Sequence, residues 1–334
     1  RSAMANYAFY LGATNDNLEE IKKANEEKNL CGVKVFIGSS TGNMLVDDPA
    51  TLENIFSTSK HLIAVHAEDE GIITQNYENI RQQYGENIPL EAHPHIRDAK
   101  CCYEASRKAI DLAKSANARL HILHLTTADE IPLFDAHEKP GEKAITTEAC
   151  VHHLWFSSED YGKYGNKLKC FPAIKDHTHR DALLQGLLDG HIDQIASDHA
   201  PHTLLEKQNP YLSAPGGIPM VQHNLPAMLQ YHNEGKIPLT TVVEKMSHSP
   251  ARNYKVKDRG FLREGYHADC VLVDLNRPMR VKPNNIVSKC QWSPFEGHIF
   301  PGSVTHTFVN GHLAYNNGYL KEAPTGKPLD FYRI

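Results

Sequence analysis

The chain has 334 residues, 40% of them hydrophobic, with 35 Lys and Arg against 40 Asp and Glu for a net charge of -5. That balance excludes a disordered, collagen-like or disulfide-scaffold chain, and there is no long Lys/Arg run of the kind a nucleic-acid binder needs. Apolar runs such as 62–65 and 192–196 fall far short of the ~18 residues of a membrane span, so the expected partner is a small molecule, with no nucleic acid and no membrane.

The predicted elements alternate. A helix is expected over 17–28 (NLEEIKKANEEK), capped by Asp16, then strands over 32–37 (GVKVFI) and 61–66 (HLIAVH). A long helix follows over 97–117, then strands over 119–125 (RLHILHL) and 144–147, a helix over 180–188 and a strand over 192–197 (IDQIAS). Such alternation means βαβ units and a parallel sheet. The polar, Pro/Gly-punctuated stretch 203–217 suits an active-site lid. Beyond it the pattern changes to short alternating runs, 270–274 (CVLVD), 304–309 (VTHTFV) and 312–315 (HLAY), separated by glycines. We therefore expect an α/β barrel over 1–258 and a small β domain over 259–334; a barrel can use about 250 residues as one domain.

Seven scattered cysteines without CxxC spacing fit reduced thiols in a cytoplasmic protein, and residues 1–7 do not read as a signal peptide. The 21 histidines outnumber Met, Trp and Cys together. A histidine can be a surface, core or ligating residue, so position decides. Four predicted strands carry a candidate metal ligand at or near their C-terminal ends: Lys34, His66, His124 and Asp198. In an α/β barrel the catalytic groups gather on that rim, and zinc accepts imidazole nitrogen and carboxylate oxygen. Singly, a strand His is often structural and a buried Lys often pairs with a carboxylate. Their joint placement on successive strands favours a metal.

The segments VHAED, HLTT, TTEACVHHL, SDHAPH, APGGIP, GFLREGYHADCVLVD and SKCQWSPFEG resemble those of the cyclic amidohydrolases, and of dihydroorotases among them, along essentially the whole chain. The resemblance implies a distorted (β/α)8 TIM barrel of the metal-dependent hydrolase type with a small C-terminal β domain, and a homodimer. It implies two Zn2+ per subunit bridged by a carboxylated Lys34. His66 and His124 would bind one zinc, and Asp198 would bind the other and act as general base toward a hydroxide nucleophile. His202, with the backbone at Pro215 and Gly216, would hold the substrate. The implied reaction interconverts N-carbamoyl-L-aspartate and L-dihydroorotate in de novo pyrimidine biosynthesis. Hydantoinases and allantoinases share the ligand pattern, and non-catalytic barrel subunits of the superfamily typically lose it. The family tends to place Asn before Pro where this chain has Phe171 in KCFPAIK, which leaves the choice of cyclic amide open.

Other polar residues receive plainer readings. His93-Pro-His95 has an HxH form but follows Lys34 and His66, so it reads as a loop ahead of Arg97. His152 and His153 are expected to pack near the rim, Glu148 to accept from a ligating histidine, and Glu68 and Asp69 to be solvated. The resemblance also implies an early strand bearing HxH, followed by an Arg that grips the substrate carboxylate. Nothing of that kind precedes Lys34, and the 33 residues ahead of it are judged too few for the first barrel strands, so a fragment of a longer chain is favoured over a degenerate homologue.

Overall fold

Six short strands pair in chain order to form one parallel sheet: β1 (Phe9–Gly12), β2 (Leu30–Ile37), β3 (Ile63–Ala67), β4 (Leu120–Ile122), β5 (Ile145–Cys150) and β6 (Gln194–Ala196). The computed structural model describes residues 3–38, 44–136, 141–321 and 323–332. Every expected strand in this region is present within a few residues of its expected bounds. One strand was unforeseen: β1 does precede Lys34, pairing Gly12 with that residue. Its exposed Phe9 and half-buried FYLG pattern carry no strong alternation, which is why sequence reading passed over it.

Alternation within β2 divides two environments. Val33, Val35 and Ile37 are buried on one face, whereas Lys34 and Phe36 occupy the other. Register then pairs Lys34 with Ala64 and Phe36 with His66, so the polar face of β2 continues into β3. The apolar face packs against helices and forms the main core with Ile55, Phe56, Leu120 and Ile122.

The helices are α1 (Leu18–Ala24), α2 (Pro49–Thr58), α3 (Glu70–Tyr84), α4 (His93–Ile96), α5 (Ala99–Ala116), α6 (Val151–Trp155), α7 (Tyr161–Tyr164), α8 (His177–Asp189), α9 (Leu204–Lys207) and α10 (Asn224–Asn233), with shorter turns beyond. Asp48, Asp69, Asp98 and Asp176 each accept a backbone N–H in the first turn of the helix they precede, satisfying a donor the helix cannot. Asp16 does not cap α1. Asn17 occupies that position, and its side chain instead bridges Thr14 N–H and the Gly12 carbonyl.

The tail forms a separate antiparallel sheet from β7 (Cys270–Asp274), β10 (Ser303–Val309), β11 (His312–Asn316) and β12 (Tyr319–Leu320), beside the small pair β8 (Met279–Arg280) and β9 (Ile299–Phe300). Asn6 donates to Asp269 at 2.9 Å, and Tyr7 bridges Pro328, so residues near the start of the chain rest on the tail. The seven cysteines are all free. Among the described residues no helix is long and apolar enough to cross a membrane.

Candidate active site

The end of the sheet gathers the four predicted ligands. His66 is the penultimate residue of β3, His124 and Asp198 lie two residues beyond β4 and β6, and Lys34 sits within β2, three residues short of its end. His124 and Asp198 both hold left-handed backbone, with φ of 41° and 39°, unusual for residues with a Cβ. At His124 the flanking amides explain it. Leu123 N–H bonds the Val65 carbonyl and Leu125 N–H the Glu148 carbonyl, so the chain is clamped between neighbouring strands and the residue between must turn.

His66 Nδ1 faces His124 Nε2 at 3.0 Å, and the rings meet edge to face. Burial lowers both imidazoles below the usual range, with like charge adding to the effect at His124, so both are neutral near pH 7 and carry lone pairs. The other nitrogen of His66 bonds Glu68 Oε2 at 2.9 Å. Arg97 donates to the same oxygen at 2.6 Å. Burial pushes the Glu68 carboxyl up, but Arg97 and His66 outweigh it and hold it at about 2. The expectation that Glu68 is solvated is therefore corrected: it is fully buried and orients His66.

Lys34 is half-buried, its ammonium 4.4 Å from the Phe36 ring centre, and desolvation pulls it down to about 8 against the attraction of Asp198 and Glu148. Asp198 is exposed, yet neighbouring protein raises its carboxyl to about 6 by desolvation, opposed by Lys34. Each feels the other's charge, but the two form no ion pair. A cation fits this donor set. Two neutral imidazoles converge, and the buried His124 Nδ1 has no hydrogen-bond partner among the described residues.

The remaining histidines and acids fall into place by their partners. His93 spends both ring nitrogens on Tyr211 Oη and the Cys170 carbonyl, and it begins the helical turn α4 rather than a loop. Asp69 caps α3 instead of facing solvent. Glu148 accepts from His121 at 3.1 Å and Gln194 at 2.9 Å, not from His66 or His124, so it belongs to a polar layer inside the sheet. His152 and His153 are buried in the first turn of α6.

The expected substrate contacts line a neighbouring edge. His202 is half-buried, and its carbonyl accepts the Trp292 indole N–H at 2.7 Å. Lys207, which sequence reading missed, is buried and donates to the carbonyls of Lys169, Pro215 and Gly217 at 2.9, 2.9 and 3.0 Å. Lys169 in turn holds the Tyr211 and Ala214 carbonyls. These two ammonium groups staple the 203–217 segment to the 169–171 strap. A Cβ at Gly216 would lie 2.8 Å from the Phe171 ring, so only glycine allows that approach. The Arg97 guanidinium also lies over the Phe171 ring, at 4.0 Å.

A parallel α/β barrel sheet with imidazole, lysine and carboxylate at its C-terminal rim defines the class, a TIM-barrel fold of the metal-dependent hydrolase type. A sequence profile described as "Amidohydrolase family" matches residues 48–314, and the chain belongs to that family. A dihydroorotase of Thermococcus kodakarensis is 31% identical over 297 residues, covering 89% of this chain and 65% of that protein. An allantoinase of Bacillus velezensis is 29% identical, covering 97% of this chain and 71% of that protein. An L-hydantoinase structure from Arthrobacter aurescens superposes with a TM-score of 0.89 at 26% identity, covering 97% of this chain and 73% of that one. The chain thus spans about 65% of the length of the first of these relatives.

Proposed function

We propose that the chain carries the Lys34, His66, His124 and Asp198 part of a zinc-dependent dihydroorotase site, which reversibly closes N-carbamoyl-L-aspartate to L-dihydroorotate. The observation that carries this reading is the convergence of neutral, buried His66 and His124 on a rim shared with Lys34 and Asp198. Lys34 would react through its free amine with CO2, losing a proton to form a carbamate able to bridge two cations; a lysine held near 8 supplies that amine. His66 and His124 would hold one zinc, and Asp198 the other. When bound, the metals supply Lewis acidity and make water nucleophilic near neutral pH. Asp198 would accept a proton during ring opening and return it to the leaving amide nitrogen, the roles reversing on closure. His202 and the backbone at Pro215 and Gly216 would hold the ring and its carboxylate.

The SDHAPH and SPFEG segments, which resemble those of dihydroorotases, support dihydroorotate as the cyclic amide. Phe171 supports a second reading, an allantoinase- or hydantoinase-type substrate, because its ring lies against Gly216 where an amide side chain would be expected. Ring opening of dihydroorotate, allantoin and hydantoin by zinc-loaded protein from the complete coding sequence tests both. Dihydroorotate turnover that falls about 10²–10⁴-fold in Asp198→Ala supports the first reading. Turnover of allantoin or hydantoin alone supports the second, and no turnover of any with zinc bound would reject catalysis in favour of a non-catalytic barrel.

A further inference from the structure

We infer that His152, His153 and Cys170 form a separate structural metal site, taking a single zinc-like cation, behind the rim. One ligand atom from each of these three residues lies within 4.8 Å of the others, and all three residues are buried. Cys170 Sγ is 3.9 Å from His153 Nε2. Three of the four imidazole nitrogens of the pair have no hydrogen-bond partner among the described residues: both of His152, and Nδ1 of His153. Buried polar groups are rarely left so, and a buried imidazole with neither nitrogen engaged calls for a ligand.

The donor chemistry selects the ion. Two imidazoles and a thiol suit zinc, while magnesium and calcium take oxygen ligands. The Pro172 carbonyl, 3.1 Å from His153 Nε2 and 3.3 Å from Cys170 Sγ, offers a fourth donor from the backbone. Binding would replace the thiol proton by the metal, releasing one proton to solvent. A second cluster, Glu68 with Cys101 and Cys102, makes the contrast. There the one carboxylate, Glu68, is already engaged by Arg97 and His66.

The site would tie α6 to the strap that carries Phe171, and so hold the wall opposite Gly216. It shares no residue with the proposed rim site, which contains no sulfur, so the two readings can fail independently. Zinc-edge X-ray absorption on the zinc-loaded protein should show a sulfur shell at about 2.3 Å. After refolding in cobalt, which admits metal to an enclosed site, a thiolate-to-cobalt charge-transfer band should appear, vanish in Cys170→Ser and persist in Cys102→Ser. Only nitrogen and oxygen neighbours around zinc in the unsubstituted protein, or a band that survives Cys170→Ser, would overturn the proposal whether or not the rim binds metal.

Discussion

Trp292 donates its indole N–H to the backbone carbonyl of His202, 90 residues earlier in the chain, at 2.7 Å. The indole is fully buried, so it fixes the turn after Asp198 from beneath. In Trp292→Phe most of the ring remains but the carbonyl loses its donor, a loss worth about 1–3 kcal/mol. The urea midpoint should fall accordingly, and an unchanged midpoint would show that the bond holds nothing.

Glu68 and Arg97 pair across 2.6 Å in the interior. Glu68→Gln removes the charge that Arg97 and His66 both face, and should cost on the order of 3–5 kcal/mol. The double variant Glu68→Gln/Arg97→Met should be less destabilised than the two single changes summed. Strict additivity in that cycle would mean the two residues act independently.

Lys207→Met deprives the Lys169, Pro215 and Gly217 carbonyls of a shared donor. A hydrogen bond to a charged group contributes about 1.5–3 kcal/mol, so the KM for the cyclic amide should rise by about 10- to 150-fold. Because Lys207 positions the segment without touching the reacting atoms, kcat should change less. An equal fall in kcat with KM unmoved would contradict that role.

His223 is buried beside Phe295 and Phe300, with Nδ1 at 3.0 Å from Ser293 Oγ, and burial lowers it to about 4 from 6.5. The folded value lies below the unfolded one, so between these pH values the unfolded chain binds more protons. Stability should therefore drop as pH falls through that window, by roughly 3 kcal/mol from this group when complete. Urea midpoints followed from pH 7 to pH 4 should decline less steeply in His223→Gln than in the unsubstituted chain.

Much of the scaffold was legible because the sheet obeys a simple rule. Strands such as GVKVFI and HLIAVH set apolar residues on the helix side and place a lone ligand on the other, and those ligands stand out against the pattern. The α3 segment resisted because only Ile73 is buried among its 15 residues, leaving little periodicity to read. Glu68 and Lys207 were missed for a different reason. A charge beside a strand end or in a polar loop looks solvated until the distant partners appear, here Arg97 for one and three carbonyls for the other. Contacts of that kind depend on tertiary placement, which no local pattern encodes.

The left-handed backbone at Asp198 sets heat resistance against competence. A non-glycine residue there costs about 1–3 kcal/mol. Metal-free Asp198→Gly protein should melt at a higher temperature than the unsubstituted chain. A laboratory selection for thermal tolerance alone would accordingly accept the loss of this residue, and any screen for hardier variants must score turnover in the same round.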